Sequence, residues 1–217
     1  MEEKRAQDVK RTEMATEPKT HIGDLFVQFY LIIVGLAVGY SIENFLDNVS
    51  IAGTIRFLTT INMLVIWLHS MIGIGASETY QYTSGWFSKL LEFYIEITGA
   101  IILIFLALVQ NDEKLFYGMV AFAYFLDFIL EIVSFFRIRK TGNKYSKEKN
   151  IFKIWMLVDG IAVISVSCVL FARSELLNFS EILASIFVLV IVLFVTFTDY
   201  FLNREVYFGF SNSTALK

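Results

Sequence analysis

A high apolar content, six apolar runs of membrane-spanning length and a lopsided distribution of positive charge predict an all-α integral membrane protein. The expected architecture is a bundle of six transmembrane helices with both termini in the cytoplasm. Of 217 residues, 56% are hydrophobic and 18% are charged, against about 25% charged in ordinary soluble domains. A soluble fold of this size has too little interior to hide so much apolar surface. The single cysteine, Cys168, excludes a disulfide framework and a Cys-based zinc site. A net charge of −3 leaves no basic footprint for a nucleic acid. The expected surroundings are the lipid bilayer of the cell membrane.

A hydrocarbon core about 30 Å thick needs roughly 20 apolar residues in a helix. The first run, Leu25 to Asn44, follows a charged tail over residues 1–24. That tail is mixed in sign and poor in large apolar side chains, which predicts disorder. The run is too long for the core of a secretory signal and has no small-x-small cleavage site, so it reads as a retained span. Gly35 and Gly39 within it form a G-x-x-x-G pattern, which allows close helix approach. The default use of that pattern is packing within the chain; the alternative is a homo-oligomer seam. The second run, Ile55 to Ile74, follows a short polar gap. The third and fourth, Leu90 to Val109 and Phe116 to Phe136, are separated by little more than Gln110–Lys114, which suits a tight hairpin. The fifth is Ile154 to Phe171 and the sixth Ile182 to Leu202, before a short C-terminal tail over residues 204–217. The transmembrane domain is thus residues 25–203. None of the runs contains proline, which would interrupt the helical hydrogen-bond ladder. An even split into two oppositely oriented halves permits an inverted repeat.

Lys and Arg set the orientation, because cytoplasmic loops carry their excess. Of the 18 in the chain, only Arg56, Lys114 and Arg173 fall on the side opposite the termini. The basic loop from Arg137 to Lys153 is the main orientation signal and also suits anionic lipid headgroups. Trp67, Trp86, Trp155 and Tyr200 fall near the inner boundary, where an aromatic belt is expected.

Ionisable side chains at membrane depth are costly and usually face protein or water. The third run carries Glu92 and Glu96, and the fourth Asp127 and Glu131; each pair is spaced i, i+4 and shares one helix face. The fifth run carries Asp159, the second His69 and the sixth Asp199. At a rise of 1.5 Å per residue, Glu96 lies about 10 Å beyond Lys89, and Glu131 and Asp159 about 9 Å beyond Arg137 and Lys153. His69 lies about 9 Å from Gly75, Asp199 about 7 Å from Arg204, and Asp127 about 15 Å in. Acids from four helices and one histidine therefore share the inner third of the membrane. In one reading they are structural, paired with Lys89, Arg137 and Lys153 or hydrogen-bonded to Tyr94, Tyr124, Ser165 and backbone carbonyls. In the other they line a cytoplasm-facing aqueous vestibule, since carboxylate rings are how cation pathways attract their ion. At the outer face, the short connection between the first two runs brings Glu43 and Arg56 into range of an interfacial ion pair.

The segment from Phe128 to Asp159 resembles, locally, the second and third helices of voltage-sensor domains. An aromatic, Phe128, precedes an acid, Glu131, by three residues; a basic linker follows, then an acid, Asp159. The following span has no arginine ladder, so the resemblance implies acids at the floor of a crevice and not voltage gating.

Other chemistry is poorly supplied. Only His21 and His69 are available as histidines, without E-x-x-H or H-x-x-x-H spacing, so no metal site is expected. Ser70 adjoins His69, but neighbouring helix positions point about 100° apart. No phosphate-binding glycine motif occurs, and no cofactor is expected. The leading expectation is a small ion channel or proton-coupled transporter, with a cation or proton as its partner. The alternatives are a non-catalytic scaffold or sensor subunit of a larger complex and, third, a membrane-embedded enzyme.

Overall fold

The computed structural model describes residues 22–47, 49–76, 86–139, 146–173 and 180–202. The expected N-terminal disorder and the C-terminal tail lie outside the described residues, as does the middle of the basic loop. The described residues form six helices: α1 Ile22–Asp47, α2 Ile51–Ala76, α3 Trp86–Leu108, α4 Glu113–Arg139, α5 Ser146–Phe171 and α6 Glu181–Leu202. Among the described residues, five are long and apolar enough to cross a membrane, and in α3 the described apolar stretch is Ile97–Leu108. The helices overrun the apolar runs, most visibly in α5, which starts at Ser146 rather than near Ile154. Hydropathy marks the stretch that avoids water, whereas the backbone ladder continues through Lys, Glu and Asn, which are compatible with a helix.

Packing runs around the bundle in the order α1, α3, α4, α5, α6, α2 and back to α1, with α2 also touching α3. The most extensive interface is α4 with α5. Each helix presents one stripe inward. On α4 it is Phe116, Tyr117, Val120, Ala123, Tyr124 and Leu130. On α5 it is Trp155, Val158, Asp159, Ala162, Val166 and Val169, and on α6 Ala184, Val188, Val192, Val195 and Asp199. These follow the i, i+3, i+4 spacing of one helix face. The outer surface is apolar too: Leu36, Ile101, Phe122, Ile164 and Phe194 are exposed, and Phe197 is 71% exposed. A continuous apolar exterior suits lipid and would be an aggregation liability in water. Polar side chains within the spans bond locally, as when Thr59, Thr60 and Thr196 donate to the carbonyls of Ile55, Arg56 and Val192. Such back-bonding satisfies a hydroxyl where no water is present.

Two packing expectations change. Gly35 and Gly39 are exposed, and no atom of another element lies within 4 Å of where a Cβ would stand on either. Within the chain, therefore, G-x-x-x-G does not bring helices together; Gly99 does, because the Trp67 ring lies against it where a Cβ would be. Trp67 and Trp155 accordingly belong to the core rather than to a lipid-facing belt.

Candidate functional site

Two polar clusters stand at different levels of the bundle, one at an end and the other from the middle toward the opposite end. The first is acidic and lies on α4, α5 and α6. Tyr124, Asp127 and Glu131 stand at i, i+3 and i+7 on α4, a single stripe. Asp159 lies on the buried stripe of α5 with no exposed surface, and Asp199 on that of α6, also buried. Asp127 and Glu131 are half-buried. Asp159 is within electrostatic reach of Asp127, Glu131 and Asp199, and Asp127 of Asp199. Three of the acids picked out by depth thus lie within electrostatic reach of a fourth, Asp159. Gly160, next to Asp159, lets α4 approach: a Phe128 ring carbon stands 3.6 Å from the place of its missing Cβ.

Neither carboxylate oxygen of Asp159 has a hydrogen-bond partner among the described residues. The hydroxyl of Tyr124, buried and within reach of both Asp159 and Asp127, has none either. The hydrogen bond from Tyr124 to an acid, expected on the structural reading, is not made. Lys153, one of the bases expected to reach up, is exposed. The side chains of His69, Glu92 and Glu96 lie outside the described ones; their helices, α2 and α3, pack against α6 and α4 respectively. Among the described residues, no three His, Cys, Asp or Glu side chains gather closely enough to hold a metal ion.

The second cluster ties together the end where α1 meets α2, α3 meets α4 and α5 meets α6. Arg56, 2% exposed, donates from Nε to the Gln110 carbonyl at 2.7 Å and from Nη1 to Glu181 Oε1 at 2.6 Å. Arg173 donates from Nε to Glu113 Oε1 at 2.6 Å. Ser41 donates to Gln110 Oε1 at 2.7 Å, and the Tyr117 and Ser185 hydroxyls share a hydrogen bond of 2.8 Å. Asn44 donates to the Ala107 carbonyl and accepts from Asn111. The expected pair of Glu43 with Arg56 is corrected here. Arg56 turns into the bundle toward α6, whereas Glu43 is exposed on α1, so the two cannot share the buried position. Glu181, Gln110, Tyr117 and Ser185 were not legible as partners, because their meeting depends on helix rotation. Depth was the available signal: Glu113 and Glu181 open α4 and α6 at the level where Arg56 and Arg173 lie.

Compared with protein-family models, curated proteins and solved structures, the chain matches none.

Proposed function

We propose that this protein carries protons, or a small cation together with them, across the cell membrane. The path opens toward the cytoplasm and passes Asp127, Glu131, Asp159 and Asp199. In this reading all six helices span, both termini are cytoplasmic, and the ion-paired end faces outward. His69, Glu92 and Glu96 extend the path toward the inner surface. The protein is a conduit rather than an enzyme.

One observation carries the reading: a fully buried carboxylate, Asp159, has no hydrogen-bond partner among the described residues and has three further acids within electrostatic reach. A carboxylate anion withdrawn from water is expensive unless it is paired. An acid in such a place must hold a proton or a mobile cation, and intramembrane acids typically mark ion and proton routes. No ready-made chelating cage surrounds it among the described residues, which favours transient occupancy over a resident metal.

The test is transport by the full-length protein reconstituted in liposomes with an imposed proton or ion gradient. The wild type is expected to dissipate the gradient, and Asp159→Asn and Asp127→Asn to abolish dissipation while remaining folded. Gradients that persist with the wild type would overturn transport and leave the scaffold reading, in which the acids pair with basic residues of another subunit.

A further inference from the structure

The geometry points to Tyr124 and Asp159 as one proton-binding point, in which the Asp159 carboxyl carries a proton delivered by water and a water joins it to the Tyr124 hydroxyl. This assignment rests on the proton-carrying reading above and names the guest and the positioning residue. Three buried polar atoms, Asp159 Oδ1, Asp159 Oδ2 and Tyr124 Oη, have no hydrogen-bond partner among the described residues. They belong to the two most extensively packed helices. Buried polar atoms are otherwise partnered in more than about nine cases in ten, so three orphans at one locus call for a common guest.

Charge restricts that guest. Besides Tyr124, α4 places Asp127 and Glu131, and α6 places Asp199, within electrostatic reach of Asp159. Among the described residues every charged group in reach is an acid, so an anion is repelled and a cation or proton is drawn in. Chemistry restricts it further. Ala123, Leu130, Val158, Ala162 and Val195 are the buried apolar residues on the same stripes. Among the described residues no three of the acids gather closely enough to ligate a metal ion stripped of its water. Water bearing an excess proton suits the three orphans: once the proton is on one Asp159 oxygen, the water left behind accepts from that O–H and from the Tyr124 O–H and donates to the other Asp159 oxygen. The transfer balances simply. An O–H bond of hydronium breaks as one forms on Asp159, leaving neutral water; on release the proton returns to water and the carboxylate is restored. Tyr124 forms and breaks no bond to the travelling proton. It fixes the donor next to Asp159, which makes it a positioning residue.

Infrared difference spectroscopy and flux measurement on the full-length protein in liposomes test this together. The wild type is expected to show a protonated-carboxyl band that is lost in Asp159→Asn and shifted in Tyr124→Phe. Tyr124→Phe removes one oxygen from a buried ring, and is expected to lower proton flux about tenfold or more, short of the loss of a full acid–base group. Flux should follow the proton gradient and not Na⁺ or K⁺. If Asp159→Asn fails to fold, the Tyr124→Phe band shift decides alone. An unshifted band with unchanged flux overturns the site, as does flux that follows Na⁺ or K⁺. Wild-type liposomes that hold their gradient while Tyr124→Phe still shifts the band defeat the transport reading but keep the proton-binding point.

Discussion

Arg56 is a full positive charge with almost no contact with solvent, held by one carbonyl and one carboxylate. Its Glu181 partner is 43% exposed, so the pair is desolvated mainly on the arginine side. Removing the carboxylate leaves the buried guanidinium unpaired, and Glu181→Ala is expected to cost about 2–4 kcal/mol in a detergent unfolding assay. The double variant Arg56→Met with Glu181→Leu should lose clearly less than the two single losses combined, because it removes the charge along with its partner. Strict additivity would mean the pair is not coupled. The second pair is more open. Its hydrogen bond to Glu113 holds the Arg173 guanidinium above its already high range. A raised pKa means that the contribution is complete below the unfolded-state value and is lost only as pH climbs through the folded one. Arg173→Gln should therefore cost a constant decrement of about 0.5 kcal/mol across neutral and mildly alkaline pH, and a decrement that vanished there would contradict the pairing. How these residues choose partners could not be read from spacing: Glu43 and Arg56 are neighbours along the chain, but Arg56 and Glu181 share a level and a facing side.

Helices were far easier to read than their rotations. Every apolar run lies almost wholly within an observed helix, because a stretch of this length in lipid has no other way to satisfy its backbone. The caps were legible in principle: Ser50, Asp112 and Ser180 each accept a backbone N–H three residues on, from Gly53, Leu115 and Leu183. All three cap the same end of the bundle, beside the arginine pairs, and fix where α2, α4 and α6 begin. Asp112→Ala should cost about 1 kcal/mol and Asp112→Asn much less, measured by thermal unfolding. Equal losses would show that charge rather than the cap matters. What hydropathy cannot supply is which side of an all-apolar helix faces protein. Gly35 and Gly39 look like a packing motif and face outward, whereas the isolated Gly99 is the position that receives Trp67. The buried acids are the exception. Asp159 and Asp199 interrupt otherwise apolar inward stripes, and an ionisable group avoids lipid, so the charge itself reports the rotation.

The molecule as a whole is organised along the bundle axis, with ion pairs and caps at one end and acids from the middle toward the other. That polarity makes a clear statement about topology. α3 is the helix whose crossing most needs a test, because its first half carries Lys89, Glu92 and Glu96. Its full extent, 23 residues, corresponds to about 35 Å, enough to cross a core of about 30 Å. If α3 crosses, the α1–α2 and α3–α4 connections lie on the same side; if it does not, they lie on opposite sides. Val49 and Lys114 mark those two connections and are exposed, and Asn150 marks the opposite end, near the start of α5. In a Cys168→Ser background, needed because Cys168 is itself exposed, single cysteines at these positions can be labelled with a membrane-impermeant thiol reagent. Val49→Cys and Lys114→Cys should react in intact cells, and Asn150→Cys only after permeabilisation. Labelling of Val49→Cys without Lys114→Cys would remove α3 from the membrane and place the acids of α4 to α6 at the wrong level for a path from the cytoplasm. Labelling of all three in the reverse sense would turn the acidic end outward, and the proton would then be captured from outside the cell.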